Sequence, residues 1–140
     1  MARCTNGVLA CAGDDGYPYA VPLSYVYHKN KIYFHSAKAG HKIDSIKRDP
    51  KVSFAVVDED TIVSEEYTTY YRSVIAFGKA RIAEGAERLE AFRALVEKYS
   101  GDQPEESKRE KTEGCSQSDI VAIDIEHMTG KQAIEYAAKK

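Results

Sequence analysis

The sequence predicts a small, mainly β protein: six antiparallel strands forming a barrel, with two to three peripheral helices. Period-two alternation recurs along the chain, separated by short Gly-, Asp- and Asn-bearing turns. Helical spacing appears only after the third and the fifth of these stretches. A doubly wound parallel sheet needs a crossover helix between nearly every pair of strands, and those are missing.

At 140 residues the chain has the length of one domain and can bury roughly two-thirds of its unfolded surface. Net charge is −2, from 20 basic and 22 acidic residues, so no whole-chain attraction to nucleic acid or to an anionic membrane is expected. Any anion site must be local. No apolar run approaches the ~20 residues that span a bilayer, and Met1 opens no signal-peptide pattern. The three cysteines, Cys4, Cys11 and Cys115, are odd in number and lack metal-ligand spacing, which disfavours disulfide staples and a zinc site. A reduced, cytoplasmic setting is the default expectation. Ten tyrosines without a tryptophan suit a pocket or a subunit face.

Residues 7–12 (G-V-L-A-C-A) read as a buried strand ended by the D-G turn at Asp15-Gly16. Residues 18–28 follow as one long alternating strand, with Tyr19, Val21, Leu23, Tyr25 and Tyr27 on one side. Pro22 cannot donate to a ladder, so it marks an edge, a bulge or a place where another group approaches the backbone. The turn at 28–31 leads into strand 32–36. A helix over 40–49 has Ile43 and Ile46 on its buried side and stops before Pro50. Residues 51–59 form the fourth strand and 60–69 a polar loop. The fifth strand, 70–84, has a bulge or corner at Gly78. Leu89, Phe92, Leu95, Val96 and Tyr99 give a helix over 85–99. Residues 102–118 carry charge without apolar periodicity and read as a mobile loop. Residues 119–126 form the last strand, and the tail ends as a short helix.

The chemistry concentrates at residues 33–50. A strand ending in His35 and Ser36 runs into a small-residue turn, and His41-Lys42 opens the helix. Backbone N–H groups at a helix start, a hydroxyl and a lysine suit a phosphate. An ordinary strand–turn–helix with a solvated lysine fits the spacing as well. No G-x-x-x-x-G-K-[ST] loop is present, which argues against a nucleoside-triphosphate site. No G-x-S-x-G elbow supports a hydrolase. The acidic pairs lie in turns, where carboxylates are ordinarily just solvated. His35 is either a proton-transfer group or a half-buried histidine bonded to backbone.

Four segments, taken in order, carry a resemblance: G-V-L-A-C-A-G-D-D-G-Y-P-Y-A-V-P-L-S-Y-V-Y, I-Y-F-H-S-A-K-A-G-H-K, D-P-K-V-S-F and Y-Y-R-S-V-I-A-F-G-K-A. Together they resemble the pyridoxamine 5′-phosphate oxidase-like split-barrel flavoproteins, most closely the nitroimidazole-resistance (Nim-type) branch. The T-G-K at Thr129–Lys131 fits that branch too. The resemblance implies a six-stranded split barrel, a homodimer and FMN at the dimer interface. It places Val21, Pro22, Leu23 and Ser24 alongside the flavin ring. His35 and Ser36 correspond to strand-end contacts, and His41 and Lys42 to the Arg-Lys phosphate pair. Ser73 matches a glutamine that reaches the flavin from the neighbouring strand.

The departures are specific. Ala20 and Tyr25 stand where the oxidases have arginine and lysine, His41 replaces the phosphate-pair arginine, and no C-terminal substrate motif follows. These argue against vitamin B6 oxidation. The Nim branch usually has a helix before its first strand, whereas this sequence starts almost at the strand. The expected activity is reduction of a small nitroimidazole- or quinone-like substrate, with His35 as the catalytic side chain. A flavin- or haem-binding carrier without turnover, and a cofactor-free dimeric barrel, are the alternatives.

Overall fold

Alternating side chains give this chain two faces to bury, and the fold uses a different partner for each. The computed structural model describes residues 1–38, 40–113 and 118–134. In chain order it runs β1 (Asn6–Ala12), β2 (Pro18–Ser24), β3 (Val26–His28), β4 (Lys31–Ala37), α1 (His41–Arg48), β5 (Lys51–Val63), β6 (Thr68–Ala83), α2 (Gly85–Ser100), α3 (Glu105–Glu113) and β7 (Ser118–Gln132). All seven strands pair antiparallel in one sheet of order β2-β1-β5-β6-β7-β4-β3.

Inside the curled sheet, Leu9, Tyr25, Ile32, Phe34, Phe54, Val56, Val121 and Ile123 form the main core, and Ile43 and Ile46 of α1 close one end of it. On the outside, Val26, Tyr33, Ala83, Ile120 and Ala122 pack against Ala91, Phe92 and Leu95 of α2. β7 is therefore buried on both faces over Ile120–Ile123, and its sequence there is an unbroken apolar run. Arg81 of β6 holds the start of α2. Its guanidinium donates to Glu87 at 2.6 and 2.8 Å and to Asp124 at 2.7 and 3.0 Å, while Tyr33 Oη donates to Glu87 at 2.9 Å.

The expected six-stranded split barrel is corrected on strand count. The sheet, which is not closed, has seven strands, because the strand predicted over 18–28 breaks at Tyr25. Its two halves, β2 and β3, are the two unpaired edges of the sheet. Tyr25 leaves the ladder because α2 takes its backbone. Its N–H donates to Tyr99 Oη at 3.0 Å, and its carbonyl accepts from Lys98 Nζ at 2.9 Å. Tyr99 Oη also lies 2.6 Å from Tyr25 O and 2.8 Å from Thr5 O, and has one proton to give between them. The Tyr25 ring is wholly buried, 5.0 Å from the Phe54 ring in an edge-on contact, with Lys98 Nζ 4.2 Å above its face.

Three further differences have local causes. Residues 60–69 are a hairpin arm and not a loop: Asp60, Thr61 and Ile62 pair with Tyr71, Tyr70 and Thr69, all but Asp60 being residue types that favour strands. The charged stretch after α2 folds as α3, whose inner face is Lys108 and Thr112 instead of apolar residues. Lys108 Nζ donates to Glu97 at 2.5 Å and to Gly101 O at 3.1 Å. β7 runs on to Gln132, paired with β6. The expected terminal helix, and Cys115 with the end of the expected loop, lie outside the described residues. Gly78 does sit at an irregularity, where the β6–β7 register shifts between Phe77 and Gly78. A Cβ there would lie 2.2 Å from Asp124 O, so only glycine fits.

Two outcomes test these contacts. Tyr99→Phe leaves the Tyr25 N–H without its acceptor and should lower stability by about 1–3 kcal/mol in urea unfolding. An unchanged midpoint would mean that packing alone closes the corner. Arg81, then burial opposing it and Tyr33 adding to it, set the Glu87 carboxyl, which is lowered to about 2. A carboxylate depressed in the folded state stabilises above its unfolded pKa and loses that contribution as pH falls. Unfolding measured between pH 5 and pH 2 should therefore show a smaller loss of stability in Glu87→Gln than in the parent.

Candidate functional site

Tyr25 leaves β2 ending in Ser24 on one side of the split and β4 approaching from the other. Along β4, Ile32, Phe34 and Ser36 point into the barrel, while Tyr33 and His35 point outward. The outward side chains Ser24 and His35 meet in one cavity of about 440 Å³ beneath α2. Phe92, Leu95, Val96 and Tyr99 give it an apolar wall, and Ser100, Ser118 and Lys111 add polar groups. No carboxylate lines it among the described residues. The same Tyr99 hydroxyl that binds the Tyr25 backbone stands in this wall, so the split and the cavity share one fixed side chain.

The second cluster is at α1. Gly40 has φ 139° just before it, a conformation that glycine alone adopts without strain. The first helical bond is Asp44 N–H to Gly40 O at 3.0 Å, so the N–H groups of His41, Lys42 and Ile43 have no partner within the helix. The His41 ring meets Tyr19 of β2 edge-on at 4.4 Å, and its Nδ1 lies 3.5 Å from Asp14. Asp14 also sits 3.4 Å from Arg48, whose Nη2 donates to Ala12 O at 3.1 Å. Part of the positive charge at this helix start is thus already matched. Lys42 is half-buried beside it.

The remaining sequence-predicted residues divide between these clusters and a third place. Val21 and Leu23 turn their side chains towards the main core and leave only backbone at the open edge, whereas Pro22 is exposed on the outer face. The Ser36 side chain faces the barrel interior, opposite to His35. Ser73 lies on the outer face of β6, between Val57 and Lys131. In the order β2-β1-β5-β6 it is three strands from Pro22, about 14 Å along the sheet. Around it the outer face is apolar, with Val8, Val57, Ile75 and Phe77 all more than a third exposed. The larger depressions on the surface contain none of the predicted residues. No group of three or more potential metal ligands occurs among the described residues, and no helix among them is long and apolar enough to cross a membrane.

Sequence reasoning found the helix that walls the cavity but not the cavity. The spacing of Phe92, Leu95, Val96 and Tyr99 shows an apolar helix face without showing that part of it stays uncovered. Lys111 carried no signal, since it falls in the stretch read as a loop.

The family model described as pyridoxamine 5′-phosphate oxidase matches residues 2–132. Three solved structures share the fold. A candidate 5-nitroimidazole antibiotic resistance protein of Bacteroides thetaiotaomicron is 22% identical with a TM-score of 0.75, covering 91% of this chain and 76% of that one. A conserved hypothetical protein of Mycobacterium tuberculosis is 26% identical with a TM-score of 0.76, covering 92% and 78%. A FAD-binding protein of Mesorhizobium loti is 25% identical with a TM-score of 0.60, covering 93% and 87%. With the family model spanning nearly the whole chain and the strand order of a split barrel in place, this chain belongs to the pyridoxamine 5′-phosphate oxidase family.

Proposed function

We propose that the chain binds FMN as a homodimer and reduces a small aromatic substrate in the cavity beside His35. One observation carries this reading. The two clusters stand at opposite ends of β2, with Tyr19 touching His41 of α1 and Ser24 in the cavity. Ser24 is five positions along the strand from Tyr19, about 17 Å, a span suited to a flavin ring with its ribityl phosphate tail. The residues present fit such a guest. Lys42 and the free N–H groups of α1 suit the phosphate, and Pro22, with no N–H, suits a ring lying along the open edge. The FAD-binding relative supports a flavin in general, and the assignment of FMN rests on the phosphate cluster.

A bound flavin supplies the electron chemistry, and the protein binds, orients and shields. Val21 and Leu23 offer backbone along the edge, and Ser24 a hydroxyl at its end. Ser36 fixes the end of β4 from within, and His41 stands beside Lys42 with its ring against Tyr19 and 3.5 Å from Asp14. His35 orients the substrate and passes a proton, a role imidazole suits near neutrality. Ser73 is too far along the sheet to share this site within one chain. It would meet the cofactor only across a dimer interface formed by the apolar face that carries Val8, Ile75 and Phe77.

The decisive measurement is an absorbance scan after adding FMN and removing the excess: a retained flavin spectrum is expected, and its absence would overturn the reading. Lys42→Ala should weaken FMN roughly 10- to 150-fold and leave riboflavin nearly indifferent, because a charge-assisted hydrogen bond is worth about 1.5–3 kcal/mol. Equal loss for both ligands would remove the phosphate assignment. His35→Ala should keep the flavin and lower turnover of a nitroaromatic, and unchanged turnover would remove its catalytic role. Ile75→Glu buries a charge in the expected interface and should shift the protein to monomer in sedimentation.

A further inference from the structure

The cavity is asymmetric in charge. Its described lining contains an imidazole, four hydroxyls and one ammonium, and no acid. The ammonium is that of Lys111, in the last turn of α3. It has no hydrogen bond or ion pair among the described residues, whereas several cations of this chain are held in ion pairs. Arg3 pairs with Asp58, Lys29 with Glu90, Arg81 with Glu87 and Asp124, and Lys108 with Glu97 and Glu105. Glu110 lines only the neighbouring groove outside the cavity.

α3 is held so that this lysine faces the opening. Lys108, one turn earlier, is 8% exposed and tied to Glu97 and to the carbonyl that ends α2. Thr112 is buried beside it and donates to Lys108 O at 2.9 Å. With Lys108 and Thr112 turned towards α2, Lys111 stands at the boundary between that packed face and the cavity, next to Val96 and Ser100. The helix thus delivers an ammonium to a site with an apolar wall. A positive group over such a wall, with no acid in the described lining, selects for a negative group on an apolar body. The one ammonium in the described lining matches one anionic group, and the C-terminal end of α3, where Lys111 stands, adds no positive dipole to favour more.

We propose that the cavity selects flat aromatic ligands carrying one carboxylate, with Lys111 pairing to that group and setting the specificity. The ring packs on Phe92, Leu95 and Tyr99, which brings the body of the ligand beside His35. The inference rests on the reading of this cavity as the substrate site, and it names the substrate class.

The test uses an isosteric pair, 4-nitrobenzoate and 4-nitrobenzamide, titrated calorimetrically into the full chain with and without added FMN. The carboxylate should bind about two- to fivefold more tightly than the amide, the upper part of the range for a pair with an exposed lysine. Lys111→Met should abolish that ratio without changing amide affinity, and Lys111→Arg should keep it. Circular dichroism of each variant checks the fold, and Lys111, being exposed, is not expected to disturb it. A ratio near one in the parent, the same ratio in Lys111→Met, or no binding of either probe overturns the proposal. The titration does not depend on turnover. FMN retained without a carboxylate preference therefore defeats this inference alone, and a carboxylate preference without FMN retention defeats the flavin reading alone.

Discussion

The fold depends on how the backbone of Tyr25 is satisfied. A sheet that curls until its two edges approach must either pair them or give their polar groups other partners, since a buried N–H or C=O left alone is destabilising. This chain takes the second course. The ring of Tyr25 enters the main core, and Lys98 and Tyr99 from the last turn of α2 take the N–H and C=O it withdraws from the ladder. The N-terminal residues join the same knot, with Tyr25 Oη donating to Met1 O and Lys98 Nζ to Cys4 O. Burial holds the Lys98 amine below its ordinary pKa, yet carbonyl oxygens and the Tyr25 ring compensate the charge. Three segments far apart in sequence are tied at one residue.

From that knot the candidate site follows. Because β2 stops pairing at Ser24, its outer edge is open, and because α2 must reach Tyr25, its apolar face overhangs the gap. The cavity is the space left between a helix held by polar contacts at its end and strands that it only partly covers. Tyr25, which the resemblance sets against an oxidase lysine, is structural here: its ring has no exposed surface to offer a cofactor. The α1 end and the cavity end of β2 are then built by different elements, so that in the proposed function binding and chemistry can vary separately.

Much of this was legible in residue order. Alternation and short apolar runs located the core of each strand except that β2 and β3 merged into one, the D-G turn and the 28–31 turn located two hairpins, and the spacing of Leu95, Val96 and Tyr99 located α2. What escaped has physical causes. The break at Tyr25 is invisible locally, because 18–28 alternates without interruption and only partners seventy residues away decide where it parts. α3 escaped because its inner face is a lysine and a threonine, buried through ion pairs instead of apolar contact. The arm at 60–69 looked polar because neither of its faces meets the core. For the candidate site, Ser24 and His35 could be picked as residues but not as neighbours, and Lys111 could not be picked at all.

His35 and Ser36 are consecutive, yet β4 turns one outward and one inward. The spacing that keeps them so is set upstream, where Lys29 and Asn30 both adopt left-handed backbone at the tip of the β3–β4 hairpin. Gaining or losing a single residue at that tip, or slipping β4 by one position against β7, would exchange the two. It would drive the imidazole into the apolar barrel and turn the hydroxyl out to the cavity. The length of this two-residue turn is thus a constraint as firm as the identity of the histidine itself. Variation in this part of the chain should run to substitutions, while insertions and deletions collect elsewhere, as at the tip of the β5–β6 arm.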